Sequence, residues 1–391
     1  MNNDKRQLNI GLAGFGFMGR THAFAISNIP FFYSRPEAPL PFSAKIAGVC
    51  TTSPEKSAAV AREFSMGRAY SSFEEMVSDP EIDIIDVCTP NIYHYDMVKA
   101  ALANGKHVYC EKPLCETAER SMEIYELAKA SGLICGMVFN NHHLAAVKRA
   151  KQIIDEGKLG RILSYNFEYL HDSCTHDGKA YGWKQNADIC GEGGVLFDLG
   201  SHIIDLALML CGNISSVIGR SQIAFPSHPG ADGEIWQTNA SEAFYMITRN
   251  ENGAMGTLTA SKVSKGTSDG LNFEIYGTLG ALKFSLMEPG RLHFFDATAP
   301  ASPMGGLAGF TTIECGGSYA APGGFFPSYK APAGWLRGHV ENMFRYLEAV
   351  YLGAEPSPSF EDGARVSAVM DAALRSDRSG GEESVIWEAA K

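Results

Sequence analysis

Up to residue 140 the chain alternates short apolar runs with amphipathic stretches. The apolar runs are 7–14 (QLNIGLAG), 45–52 (KIAGVCTT), 82–89 (IDIIDVCT), 107–113 (HVYCEKP) and 134–140 (ICGMVFN). They are nearly continuous, as strands must be when both sheet faces are covered. Helix-compatible stretches lie between them at 18–28, 54–64, through 101–105 and at 117–132, with Gly105 and Gly132 where C-caps belong. Strand and helix in alternation predict a parallel, doubly wound sheet. Residues 30–42 break the rhythm with four prolines and four aromatics. They read as a surface loop pinned by its aromatics, or as a contact segment.

Beyond 140 the period changes. A helix at 144–157 precedes a strand at 162–170, a polar loop at 171–191 and a helix at 194–211. Alternating strands follow at 215–225, 242–249, 254–261, 271–277, 281–287 and 291–295, joined by short turns. Close spacing predicts an antiparallel sheet. A Gly- and Pro-rich stretch at 300–334 precedes two last helices, 334–353 and 362–376. The expected fold is α/β: a Rossmann-like doubly wound domain over 1–140, then an α+β domain over 141–391. The second has a large, mostly antiparallel open sheet with one helical face.

Length supports this division. At 391 residues the chain exceeds one ordinary domain of roughly 100–200 residues. A formal charge of −11 argues against a nucleic-acid surface and against an anionic membrane. No apolar run reaches the roughly 18 residues of a membrane span. Lys5 and Arg6 before the apolar stretch 8–18 imitate a signal peptide, but cleavage there would destroy the glycine motif described next. Nine cysteines with no CxxC fit small core residues in a reducing compartment, so a cytoplasmic location is expected.

Three clusters carry chemistry. Gly14-Phe15-Gly16-Phe17-Met18-Gly19 is a G-x-G-x-x-G between a strand and a helix, the context that makes it a pyrophosphate cradle. At the end of the second strand, Cys50-Thr51-Thr52-Ser53 holds neither the acid that marks NAD nor an arginine for NADP, which leaves the two cofactors undecided. Thr89, Pro90, Asn91 and His94 follow the third long strand, and Glu111-Lys112-Pro113 follow the fourth. Strand C-termini face the ligand crevice of such sheets. A lysine there can polarise a substrate hydroxyl. Asp198, His202 and Asp205 share one face if 194–211 is helical. A carboxylate beside an imidazole suits a proton shuttle near neutral pH; the same pattern also fits an Asp–His pair on a helix surface or a core histidine satisfied by Asp205. The loop with His171, Asp172, Cys174, His176, Asp177, Trp183 and Lys184 suits a substrate lining; its spacing matches no usual zinc pattern, so no metal is expected.

The order GxGxxG, TPNxxH, GKHVxxEKP, FN and GGxxxDxGxHxxD resembles the Gfo/Idh/MocA family, over nearly the whole chain. The resemblance implies a nicotinamide cofactor, NAD or NADP, and a dehydrogenase of a sugar, glycoside, anhydrosugar or cyclitol ring hydroxyl, with cofactor and substrate meeting between the two domains. By position it gives Lys112 to the reacting hydroxyl, His202 to acid/base work and Asp198 to its support. Thr89, Asn91, His94, Glu111 and Asn140 would line the cofactor. His171, Trp183 and Lys184 would border the substrate. Two departures stand out: Asn140-Asn141-His142-His143 lacks the arginine of many relatives, and Trp183-Lys184 stands where many have Trp-Arg. The long loops resemble the levoglucosan and glycoside branch. Two other expectations on this fold are an NAD-dependent glycosidase and a cofactor-sensing regulator. The open sheet predicts a homo-oligomer, a dimer or tetramer.

Overall fold

In a computed structural model, residues 5–175, 182–230 and 233–387 are described. The chain divides into two compact units. The first holds residues through His143, Gly317–Ala331 and Trp335–Ala364; the second holds Leu144–Gly316, Pro332–Gly334 and the residues from Arg365 on.

The first unit is built on β1 (Arg6–Ala13), β2 (Phe42–Cys50), β3 (Arg68–Ala69), β4 (Ile84–Val87), β5 (His107–Cys110) and β6 (Cys135–Met137). Their order is β3-β2-β1-β4-β5-β6, and every neighbouring pair is parallel. The connections carry α1 (Phe17–Tyr33), α2 (Pro54–Glu63), α3 (Phe73–Ser78), α4 (His94–Ala103) and α5 (Ala118–Ser131). Ser53 and Thr117 cap α2 and α5 through their side-chain oxygens. Gly132 closes α5 in the left-handed conformation, φ 68°. The strand order reverses between β1 and β4, so the ligand crevice lies past the C-terminal ends of those strands.

Two expectations need correction here. The first helix does not end near 28: it runs through Pro30 to Tyr33. Its last aromatic is held by packing, with Tyr33 stacked on Phe344 at 3.7 Å between ring centroids. The cut at 140 gives all later residues to the second domain, but α9 (Trp335–Leu352) belongs to the first unit. Val340, Met343, Phe344, Leu347 and Val350 join Leu8, Ile10, Ile26, Ile29 and Tyr33 in one buried cluster, where the apolar stripe of α9 finds its partner.

The second unit contains α6 (Ala145–Asp155), β7 (Ile162–Leu170), α7 (Ala187–Cys190), α8 (Ser201–Cys211) and β8 (Ile214–Gln222). A small hairpin follows, β9 (Ser227–Pro229) with β10 (Ile235–Gln237). Next come β11 (Ala243–Asn250), β12 (Met255–Ser261), β13 (Gly270–Gly277), β14 (Gly280–Ser285), β15 (Arg291–Asp296) and β16 (Phe310–Glu314). Last are α10 (Phe360–Ser379), in this unit from Arg365 on, and β17 (Glu383–Ser384). The nine-stranded sheet runs β16-β15-β14-β13-β7-β12-β11-β8-β17. Its neighbours are antiparallel except β7 and β12, which are parallel. Strand β16 lies inside the Gly- and Pro-rich stretch, which had signalled only loop. All nine cysteines are free, and eight are buried. Among the described residues no helix is long and apolar enough to cross a membrane.

Candidate active site

The glycine turn opens α1 with each glycine in a different circumstance. Gly14 has φ +93°, and a Cβ there would stand 2.6 Å from the Cys88 carbonyl oxygen. A Cβ on Gly19 would stand 2.4 Å from the Gly14 carbonyl oxygen. A Cβ on Gly16 would meet no atom within 4 Å. The N-cap Gly16 carries no capping side chain, and the first turn of α1 holds no acid. An open backbone flank beside an uncapped helix N-terminus fits a phosphate group. Phe17 and Met18 complete the turn, with Phe17 exposed and stacked on Trp335 at 5.8 Å. Phe15 is buried against Phe64, and the Arg20 guanidinium lies 5.8 Å from both rings.

At the end of β2 the Thr51 amide donates to Ser57 Oγ at 2.9 Å, while Thr52 is exposed. Past β4, Thr89 and Pro90 are half-buried and Asn91 is buried. His94 is fully buried, its ring nitrogens 2.8 Å from the Pro113 carbonyl oxygen and 2.9 Å from the Thr89 carbonyl oxygen. Burial holds its pKa below the ordinary imidazole value, although its carbonyl partners and the charge of Glu111 pull upward. His94 therefore ties the turn after β4 to the turn after β5. In that second turn Lys112 is half-buried, joined to Pro113 by a cis peptide bond. Its backbone N–H donates to Glu111 Oε2 at 3.1 Å. Asn140 is buried after β6, with its Nδ2 3.3 Å from Asn141 Oδ1.

The second unit has its own polar cluster, at one end of its central strands. Parallel β7 and β12 end side by side, Leu170 against Ser261, and antiparallel β13 starts there, Gly270 against Leu170. Tyr169 and His171 come from the first strand end, Lys262 follows the second, and Asp269 precedes the third. The Tyr169 hydroxyl donates to Asp269 Oδ1 at 2.7 Å, and His171 Nε2 lies 3.0 Å from the same oxygen. Burial would raise the Asp269 pKa, but these two partners and the charges of His171 and His202 hold it below the usual carboxylate value.

Residues 196–200 wind as a π-turn that leads into α8, a departure from the plain helix expected at 194–211. Such single π-turns occur often at functional sites. Asp198 sits in this turn and receives Lys184 Nζ at 2.7 Å and Lys262 Nζ at 3.0 Å. His202 is buried in the first turn of α8, its ring edge-on to Tyr169 at 5.7 Å. Asp205 is buried one turn on. Trp183 is exposed beside Lys184, whose ammonium lies 5.5 Å from the indole centroid. His176 and Asp177 lie outside the described residues.

Sequence reasoning missed Lys262, Tyr169 and Asp269. The available signal was weak: a lysine and an aspartate at the ends of alternating strands, 64 to 71 residues past Asp198 by chain numbering.

An open glycine turn on a helix N-terminus, at the reversal point of a parallel sheet, defines the first unit as a Rossmann-type dinucleotide binder. Comparison with known proteins carries this further. Residues 8–139 match the oxidoreductase family with an NAD-binding Rossmann fold, and 147–283 match the GFO/IDH/MocA C-terminal domain. The chain belongs to this family of NAD-binding oxidoreductases. It is 31% identical to the levoglucosan dehydrogenase of Pseudarthrobacter phenanthrenivorans, over 95% of this chain and 96% of that one. It is 29% identical to the NAD+-dependent scyllo-inositol 2-dehydrogenase of Bacillus subtilis, over 71% and 74% of the two chains. Among solved structures, a levoglucosan dehydrogenase complex with NADH and levoglucosan superposes with a TM-score of 0.91 at 30% identity, covering 97% of this chain and all of that one.

Proposed function

We propose that this protein oxidises a secondary ring hydroxyl of an anhydrosugar, sugar, glycoside or cyclitol, with NAD as the cofactor of first choice. The observation that carries this reading is the Asp198–His202 segment, with its lysine-flanked carboxylate, on a chain alike over nearly its whole length to levoglucosan dehydrogenase. The cofactor would rest its pyrophosphate on Gly14–Gly19, and its nicotinamide would supply the hydride acceptor. Thr51, Thr52, Thr89, Pro90, Asn91 and Asn140 stand along the strand ends of the same unit and are assigned to that ligand.

In the oxidative direction His202 takes the hydroxyl proton. Lys112 donates to the developing alkoxide and lowers the cost of that charge. Asp198, between the Lys184 and Lys262 ammonium groups, is an acceptor for a sugar hydroxyl or for the His202 ring. His171 and Trp183 add a polar edge and an apolar face. We also assign a cytoplasmic location, from the reduced cysteines, and self-association through the open sheet.

The decisive experiment screens levoglucosan, monosaccharides, glycosides and inositols for absorbance of the reduced nicotinamide, with NAD and NADP in parallel. Turnover of at least one member by the native protein is expected, with a loss of roughly a hundredfold or more in Lys112→Ala and in His202→Ala at unchanged NADH affinity. Wild-type turnover in both variants defeats the assignment. Bond cleavage without accumulated NADH points to a glycosidase.

A further inference from the structure

The first unit buries a charged cluster that the proposed chemistry does not use. His22, on α1 a few residues past the glycine turn, is 1% exposed. Its Nδ1 lies 2.9 and 3.1 Å from the two carboxylate oxygens of Asp86 in β4, and 3.0 Å from Cys88 Sγ. On the other side its Nε2 lies 3.3 Å from Glu111 Oε1, an ion-pair distance. Asp86 is fully buried and Glu111 nearly so. The rings of Tyr109 and His339 border the imidazole at 5.3 and 6.4 Å between centroids.

The spacings at Nδ1 are those of hydrogen bonds, whereas Nε2 and Glu111 Oε1 face each other as an ion pair without one. Donors held about 2.0–2.3 Å from a tetrahedral ion would stand roughly 3.3–3.7 Å apart. An imidazole protonated on both nitrogens would compensate the two buried carboxylates on either side of it.

The far end of the cluster matters. Glu111 turns one oxygen toward His22 and gives the other to the backbone N–H of Lys112, at 3.1 Å. Glu111 is thus the link between a buried imidazole and the turn that presents Lys112. We infer that His22 is a positioning residue for Lys112: anchored by Asp86, it fixes the Glu111 carboxylate, which fixes the Lys112 backbone. The inference rests on the proposed role of Lys112 for its kinetic consequence, though not for the link itself. A misplaced reacting group costs much more rate than affinity, so the loss should fall on kcat.

The test reads the link directly. In protein labelled with 15N-lysine, the Lys112 amide signal is assigned by its loss in Lys112→Arg. It should move in the same direction in His22→Gln and Glu111→Leu, and the double variant should coincide with Glu111→Leu alone. With the best sugar from the screen, kcat of His22→Gln should fall roughly ten- to a hundredfold while the NADH dissociation constant stays within about twofold. In the double variant the two costs should not add. A Lys112 amide unmoved in folded His22→Gln, or fully additive costs, overturns the inference. If His22→Gln does not fold, Asp86→Asn takes its place: it weakens the anchor, so the same amide must shift, and no shift refutes the link. Lys112→Ala with full turnover would refute the catalytic assignment of Lys112 while leaving the amide result standing.

Discussion

Gly16 and Gly19 belong to one motif and have opposite tolerances. A methyl group on Gly16 projects into open space, whereas one on Gly19 meets a backbone oxygen at 2.4 Å. Gly16→Ala should therefore cost the fold at most about 1 kcal/mol, the size of a poorer N-cap. It should still weaken NADH binding about tenfold or more, because the methyl occupies the path of the pyrophosphate. Gly19→Ala should cost about 2 kcal/mol or more in stability, since the turn itself must open. Calorimetric titration with NADH beside urea unfolding separates the two effects, and equal stability losses would contradict the cradle. At this scale the sequence was most legible where partners are neighbours along the chain. The glycine motif and Glu111-Lys112-Pro113 are local and declared themselves. Asp269 lies 98 residues from His171 and Asp86 lies 64 from His22, and no periodicity joins such pairs.

Among elements, the pairing of α1 with α9 shows what a hydrophobic period can and cannot tell. The apolar stripe at 335–352 announces that one face is buried, but it does not say against what. The answer lies partly in polar groups. Glu341 is fully buried, accepts the Tyr33 hydroxyl, and pairs with Arg337 at 3.2 Å and Arg345 at 2.8 Å. Removing the carboxylate in Glu341→Ala leaves the buried Arg337 without its counter-charge, a loss of about 3–5 kcal/mol. Tyr33→Phe removes the bond its hydroxyl donates to Glu341 and the one it accepts from Arg337, but leaves those two charged groups paired, and should cost about 1–2 kcal/mol. Urea unfolding of the two variants should rank them in that order; a larger loss for Tyr33→Phe would assign the helix contact to the hydroxyl. The strands of both sheets were readable because their apolar runs are short and bounded by turns. Strand β3, two residues long, offers no period to detect, and β16 hides in a Gly-rich stretch.

For the whole molecule, charge acts through individual sites more than through the −11 total. Burial alone would lower the His22 pKa, but Asp86 and Cys88 prevail and hold it well above the ordinary value, with Glu111 facing the other ring nitrogen. The stabilisation from His22 is therefore complete below about pH 6.5, the unfolded value, and is lost as pH rises through the folded one. His94 and His107 have lowered pKa values, chiefly from burial, so they oppose folding as pH falls below about 6.5. The stability difference between the native protein and His22→Gln should thus be largest near pH 6 and shrink toward pH 9, a subtraction in which His94 and His107 cancel. A difference that grows with pH would mean that His22 is buried neutral. The sheet of the second unit makes a separate demand. Along β11 the buried Phe244 and Met246 alternate with Tyr245 and Ile247, which are 46% and 48% exposed. Ile247 stands beside Ile218 of β8, one strand over. An exposed β-branched and aromatic row on an open sheet face is costly in water, and it is the row on which the proposed self-association can be tested. Light scattering should find the native protein as a dimer or tetramer. Ile247→Lys, which sets like charges against each other in a two-fold contact, should shift it to smaller species without loss of the unit's own core. A native monomer at tens of micromolar would remove the contact from consideration.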